Sequence, residues 1–177
     1  MVFVDEVGSS LKGVVGTTWA PAGQTPEVSH CCKWDKLSTI GGISHDGRVF
    51  SHSYAHSICK EQVVAFLEQL AKQLSGKLLV IWDGASIHRA HVVKEYRQSQ
   101  EGSRITLLNL PPYAPECNPI EWLWAWVKKS FFANLGAKTL DQLKAAWQRA
   151  LEVARSRPEL IRSFFAASAI KDVVKLL

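Results

Sequence analysis

The run Leu78-Leu79-Val80-Ile81-Trp82 constrains the fold of this 177-residue chain more than any other stretch. A strand with one wet face alternates apolar and polar residues. A strand without alternation has to be covered on both faces, and such strands belong to parallel sheets. Five residues are too few for a core helix, and Gly76 before and Gly84 after bound the run with turn formers. A parallel strand inside a sheet with a helix layer on each side is therefore expected.

The neighbouring segments fill in such a sheet. Met1–Val4 reads as a short buried strand ending at Asp5. Leu37–Ile43 and Arg48–Tyr54 read as a strand pair joined at His45-Asp46-Gly47, and Asp-Gly is a strong hairpin signal. The stretch from Gly13 to Val28 holds Val14-Val15 and Thr17-Thr18-Trp19, broken by Pro21, Gly23 and Pro26, which predicts another hairpin. Val63, Leu67, Leu70 and Leu74 then recur at helical spacing, with Gly76 placed to stop the helix. A short helix is expected from about Ile87 to Gln98, and a last strand over Ile105–Leu110, stopped by Pro111-Pro112. Beyond that point the pattern is helical only. Ile120, Leu123, Trp124, Val127 and Phe131 form one stripe, and Leu140, Leu143, Trp147, Ala150, Leu151 and Ala154 form a second. A third helix starts near Pro158, a favoured first-turn residue. The order implies an α/β fold, a mixed sheet flanked by helices with extra helices at the C-terminal end.

Charge is unevenly spread. Residues 1–117 carry 11 basic and 11 acidic side chains, while residues 118–177 carry 10 basic against 5 acidic, so the whole net charge of +5 lies in the last third. A polyanion could use that surface, and solvated helix faces account for it equally well. Cys31, Cys32, Cys59 and Cys117 lack the short spacing of a zinc site and read as reduced thiols of a cytosolic protein. No signal peptide and no stretch of membrane-spanning length is visible.

Three acids fall where such a sheet would gather them. Asp5 ends the first strand, Asp83 ends the apolar strand, and Glu121 opens the helix after the last strand. Sites in open α/β sheets form beyond the carboxyl ends of the strands, a rule that here supports Asp83 directly. Grouped carboxylates repel one another and take up protons unless a cation joins them. Magnesium prefers oxygen ligands and water. Two such ions about 3.5–4 Å apart stabilise both the attacking and leaving oxygens of phosphodiester chemistry. Each acid has a plainer role open to it. Asp5 and Asp83 can be turn residues. Asn118-Pro119-Ile120-Glu121 fits a helix start with Asn as the cap and Glu at the third position. Glu6, next to Asp5, is expected on the opposite face of the strand.

The motifs resemble a known family. Phe3-Val4-Asp5-Glu6 followed by Thr18-Trp19-Ala20-Pro21-Ala22-Gly23-Gln24-Thr25-Pro26 looks like the opening of the mariner-superfamily DDE endonuclease domain, in its bacterial insertion-sequence branch. Ile81-Trp82-Asp83-Gly84-Ala85-Ser86-Ile87-His88 resembles the second-aspartate motif. The segment from Leu110 to Trp124, with Pro111-Pro112-Tyr113 and Asn118-Pro119-Ile120-Glu121-Trp122 inside it, resembles the third.

The resemblance implies a ribonuclease-H-like fold with a mixed five-stranded sheet, and DNA cleavage and strand transfer at transposon ends. It implies Asp5, Asp83 and Glu121 as catalytic residues and ligands of Mg²⁺ or Mn²⁺, two ions in all. It also implies a homodimer in the active complex and a protein of the bacterial cytoplasm. It moves Glu121 from cap to ligand and leaves Glu116 in the motif's loop. Between Asp83 and Glu121 lie 37 residues, a few more than is commonest in that superfamily, and a loop near Gln98–Arg104 would absorb them.

Family members carry a helix-turn-helix domain before the first aspartate, whereas four residues precede Asp5 here. Residues 1–177 are accordingly expected to form one catalytic domain without its own recognition domain, which a partner chain could supply in trans. Two other readings share the fold: a nuclease acting on another nucleic acid, and a DNA-binding remnant without catalysis. Lys128, Lys129 and His88 are the expected DNA contacts, with His88 starting a helix at the edge of the site. Trp122 and Trp126 are expected to pack under the C-terminal helices.

Overall fold

The computed structural model describes residues 1–27 and 35–170. Five strands form one sheet: β1 (Val2–Ser10), β2 (Lys36–Ser44), β3 (Val49–Tyr54), β4 (Leu78–Trp82) and β5 (Ile105–Asn109). Their spatial order is β3-β2-β1-β4-β5. The first three run antiparallel, while β1–β4 and β4–β5 are parallel. This is the mixed sheet of a ribonuclease-H-like fold, and β4 is the doubly covered parallel strand that its sequence demands.

Helices α1 (Lys60–Gln73) and α2 (His91–Gln98) cover one face, with Val63, Phe66, Leu67 and Leu70 packing on Val2, Val4, Val80 and Trp82. The other face carries α3 (Ile120–Val127), α4 (Leu140–Arg155) and α5 (Pro158–Ala167), whose Leu123, Trp124, Trp147 and Phe165 pack on Phe3, Val7 and Ile81. Strand alternation divides β1 between the two cores. Asp5 shares its parity with Phe3 and Val7, and Glu6 shares the parity of Val2 and Val4.

Several segments differ from the sequence reading. β1 does not end at Asp5. It continues to Ser10 because β2 pairs with it throughout, Asp5 opposite Gly41. Within β1, β4 pairs only with Val2 and Phe3, so Asp5 lies just past the point where that neighbour stops.

The hairpin expected from Gly13 does not form among residues 13–27, and Val28 lies outside the described residues. Glycines and prolines interrupt the alternation too often for a ladder. Val14 bridges Ala133 instead, and Gly16 exchanges two hydrogen bonds with the Asn134 side chain, at 3.0 and 2.9 Å. Beyond them Trp19 stands fully in solvent.

The helix expected over Ile87–Gln98 is split. Ser86–Arg89 form a 3₁₀ turn, Ala90 is extended, and α2 follows. The α3 stripe also shifts. A π-helical turn over Lys128–Phe132 inserts a residue, so Phe132 enters the core where Phe131 was expected. Trp126 is half-buried against Phe131, but Trp122, although it adjoins the buried Leu123 in the chain, is exposed.

The Asp46-Gly47 turn forms, with Gly47 at φ 98°. Thr139 caps α4 by accepting from the Gln142 N–H at 3.2 Å. Cys59 and Cys117 are free thiols, while Cys31 and Cys32 lie outside the described residues. Among the described residues no helix is long and apolar enough to cross a membrane.

One close approach joins sheet to helices. The Trp124 ring lies directly on Gly41, where a Cβ would come within 2.4 Å of the indole. Ring atoms here are packed between β2, Ile120 and Trp147, so they cannot swing aside. Gly41→Ala should therefore displace α3 and lower stability by about 1–3 kcal/mol, the usual cost of overpacking. Urea denaturation measures this. Full stability in the variant would mean that the contact is not constraining.

Candidate active site

Asp5 sits in mid-strand with its side chain turned to the α3 side. The Trp124 indole N–H donates to its Oδ2 at 3.0 Å. Burial, with the negative charges of Glu121 and Glu6 added, pushes its pKa from 3.8 up to about 7, against the lowering effect of the Trp124 bond. Glu121 occupies the first turn of α3, three residues before Trp124, so one docking event places both.

The structure does not use the expected asparagine cap. Asn118 supplies its backbone carbonyl to the Glu121 N–H at 3.1 Å, and its side chain makes no cap bond. Asn118 is instead buried with Oδ1 lacking any partner.

Asp83 follows β4 directly. Its Oδ1 accepts from the Ala85 N–H at 3.0 Å and lies 3.0 Å from His88 Nδ1. Asp5, Asp83, Glu121, Asn118 and Arg89 line one cleft of about 690 Å³, walled on the far side by the Leu110–Pro115 segment. As they stand, no three acidic, histidine or cysteine side chains among the described residues converge on a single point as a cage for an ion. The oxygen donors surround the cleft, with Asp5 interacting with Glu121, and Asp83 held by its own loop.

His88, expected as a DNA contact at the site edge, is buried rather than at the surface. It is 4% exposed, stacked on Trp82 at 4.1 Å between ring centres, with Nε2 2.9 Å from Glu6 Oε1. Burial alone would lower its pKa, but the hydrogen bond and charge of Glu6, followed by Asp83, outweigh it and the net shift is upward. The extended Ala90 ends the 3₁₀ turn and frees this ring to lie inward rather than on a helix face.

Lys128 and Lys129 are exposed at the far end of α3 and do not line the acidic cleft; Lys128 borders a separate apolar cavity beside Gly8–Leu11. Arg89, Asn118 and Glu6 were missed by sequence reasoning. Asn118 and Glu6 lie within the recognised motifs and Arg89 directly follows one, but nothing in their spacing marked them as lining or supporting the site.

Residues 1–144 match the model of the DDE superfamily endonucleases. The chain belongs to that family. Among solved structures, this chain is similar to the Mos1 transposase paired-end complex with left transposon end, at 16% identity and TM-score 0.61, over 92% of this chain and 54% of that one. The Mos1 strand transfer complex matches at 14% identity and TM-score 0.60, over 92% and 53%. A simian T-cell lymphotropic virus intasome in complex with PP2A regulatory subunit B56 gamma matches at 12% identity and TM-score 0.53, over 82% and 45%. At these identities the likeness establishes the fold. The chain spans about half the length of the Mos1 chains it matches. No curated protein sequence matches it.

The raised pKa of Asp5 makes stability depend on pH. Between about pH 4 and pH 7 the folded state keeps a proton that the unfolded chain has lost, so without metal stability should fall as pH rises through this window. At about 1.4 kcal/mol per pH unit the loss amounts to at most about 4 kcal/mol. Asp5→Asn should flatten that slope and melt above the parent at pH 8 in chelator. Identical melting curves for the two proteins across pH 5–8 would show that Asp5 is not held in this environment.

Proposed function

We propose that this DDE endonuclease is the catalytic core of a DNA transposase, cleaving and transferring strands at transposon ends with divalent metal held by Asp5, Asp83 and Glu121. The observation that carries the reading is that these three acids come from three separate elements, β1, the end of β4 and the start of α3, and line a single cleft. The family match supports the chemistry, and Mos1 paired-end complexes have been solved with Mg and with Mn.

The donor set suits a hard cation. Asp5 and Glu121 destabilise each other's charge, Glu121 has no hydrogen bond to its carboxylate among the described residues, and the buried Asn118 Oδ1 is an unused acceptor beside them. All are oxygen donors, which Mg²⁺ and Mn²⁺ prefer over imidazole or thiolate. Two bound ions would supply charge stabilisation to the attacking and leaving oxygens of the phosphodiester.

The chain's own groups do the rest. Trp124 fixes the orientation of Asp5, and Arg89 offers a cation at the cleft wall for a DNA phosphate. Lys128 and Lys129 would hold flanking duplex through phosphates, which sets affinity and carries no sequence information directly. Selection of the ends would fall to a helix-turn-helix acting in cis or in trans, and the active assembly would be a homodimer on DNA.

A supercoiled plasmid incubated with the chain and Mn²⁺ should be nicked, with no product in EDTA. Asp83→Asn should lower the rate at least a hundredfold while leaving the melting curve cooperative. Nicking that survives Asp83→Asn, Asp5→Asn and Glu121→Gln alike would contradict the assignment. DNA affinity should depend strongly on salt, and Lys128→Ala with Lys129→Ala should reduce the slope of log K against log salt by about 2, near 0.9 for each phosphate contact. A slope unchanged in the double variant would remove these lysines from the DNA surface.

A further inference from the structure

We infer that His88 and Glu6 are positioning residues for Asp83: the imidazole, braced from behind by Glu6, pins one carboxylate oxygen of Asp83 and leaves the other to face the cleft. The inference rests on the proposed role of Asp83 as a metal ligand and deepens it.

The geometry is a chain of contacts running through the sheet. Glu6 is on β1, on the strand face opposite Asp5. Its Oε1 lies 2.9 Å from His88 Nε2. The ring stacks almost parallel on Trp82, at an interplanar angle of 5°, so it has no freedom to tilt. On the other edge Nδ1 lies 3.0 Å from both the backbone carbonyl and Oδ1 of Asp83. The Ala85 N–H donates to the same Oδ1 at 3.0 Å. Nδ1 hydrogen-bonds the Asp83 carbonyl and stands 3.0 Å from Oδ1, the oxygen that also accepts from Ala85, while Oδ2 makes no hydrogen bond among the described residues. A carboxylate held in this way offers one oxygen, in a fixed direction.

The need for such a brace follows from position. Asp83 is more than half exposed and follows the last residue of β4, where the sheet no longer restrains it. Asp5, by contrast, is in mid-strand and already held by Trp124. A buried imidazole is costly unless its polar atoms are satisfied, and here the partly buried Glu6 supplies the partner of Nε2. The same logic operates around bound metals generally: groups behind the ligand fix its orientation, and their loss weakens ion affinity about 10–100-fold.

Two substitutions separate positioning from packing, because each amide copies one ring nitrogen. The side-chain nitrogen of Asn reaches about where Nδ1 lies, and that of Gln about where Nε2 lies. Mn²⁺ affinity of the whole chain, read by electron paramagnetic resonance of free Mn²⁺, is the measurement, with thermal melting run on every variant. His88→Gln should weaken Mn²⁺ binding about 10–100-fold, and His88→Asn by a clearly smaller factor, since it keeps the donor to Asp83. Glu6→Gln should weaken binding less than His88→Gln. Combined with His88→Gln it should add nothing further, because Glu6 acts through the ring.

Equal Mn²⁺ affinity in the parent and His88→Gln would overturn the inference, as would equal losses in His88→Gln and His88→Asn at matched melting temperatures. Asp83→Asn serves as the reference. If it leaves affinity unchanged, the reading of Asp83 as a ligand fails; if it lowers affinity while His88→Gln does not, only the bracing role fails.

Discussion

The contact of Trp124 with Gly41 and Asp5 is the constraint on which the remaining structure turns. The six-membered ring of the indole reaches a strand position that has no side chain, and that proximity brings Nε1 to the Asp5 carboxylate. It also fixes the height of α3 over the sheet, and with it Glu121 one turn earlier. The same ring meets Trp147 edge-to-face at 5.7 Å, and Trp147 in turn donates to Ser9 Oγ at 3.0 Å. Aromatic rings thus carry the position of β1 outward into α4. The burial this requires is what makes an ionised Asp5 costly without a cation.

The two aspartates are held by different physics from opposite faces. Asp5 is fixed by the α3 side core through an indole. Asp83 is fixed from the α1–α2 side through an imidazole and a backbone N–H. The sheet separates the two supports, and the cleft lies where β4 stops pairing with β1. On the proposed reading, a catalytic centre is assembled from two cores that do not share residues.

Much of this was legible in the sequence because it depends on local pattern. The uninterrupted Leu78–Trp82 run required a covered parallel strand, Asp46-Gly47 required a tight turn, and the Leu143–Ala154 stripe required a helix on the core. The positions of Asp5, Asp83 and Glu121 in one cleft followed from motif order. What escaped depends on residues far apart in the chain. Glu6 and His88 are 82 positions apart and meet only after β1 and β4 pair. The missing hairpin after Gly13 failed because its backbone found Ala133 and Asn134 instead of itself. Asn118 looked like a cap, but its carbonyl rather than its side chain accepts the first-turn N–H, leaving the amide oxygen for the cleft. The π turn at Lys128 shifted the register by one residue, which no periodicity reveals in advance.

The claim at the centre of this account is that carboxylates from β1, β4 and α3 hold metal together. Anomalous diffraction from crystals soaked in Mn²⁺ tests it most directly. Density for manganese is expected inside the cleft, with oxygens of Asp5, Asp83 and Glu121 at coordination distances of about 2.1 Å, close to those of magnesium. Manganese bound elsewhere on the molecule, with the cleft empty at millimolar ion, would contradict it.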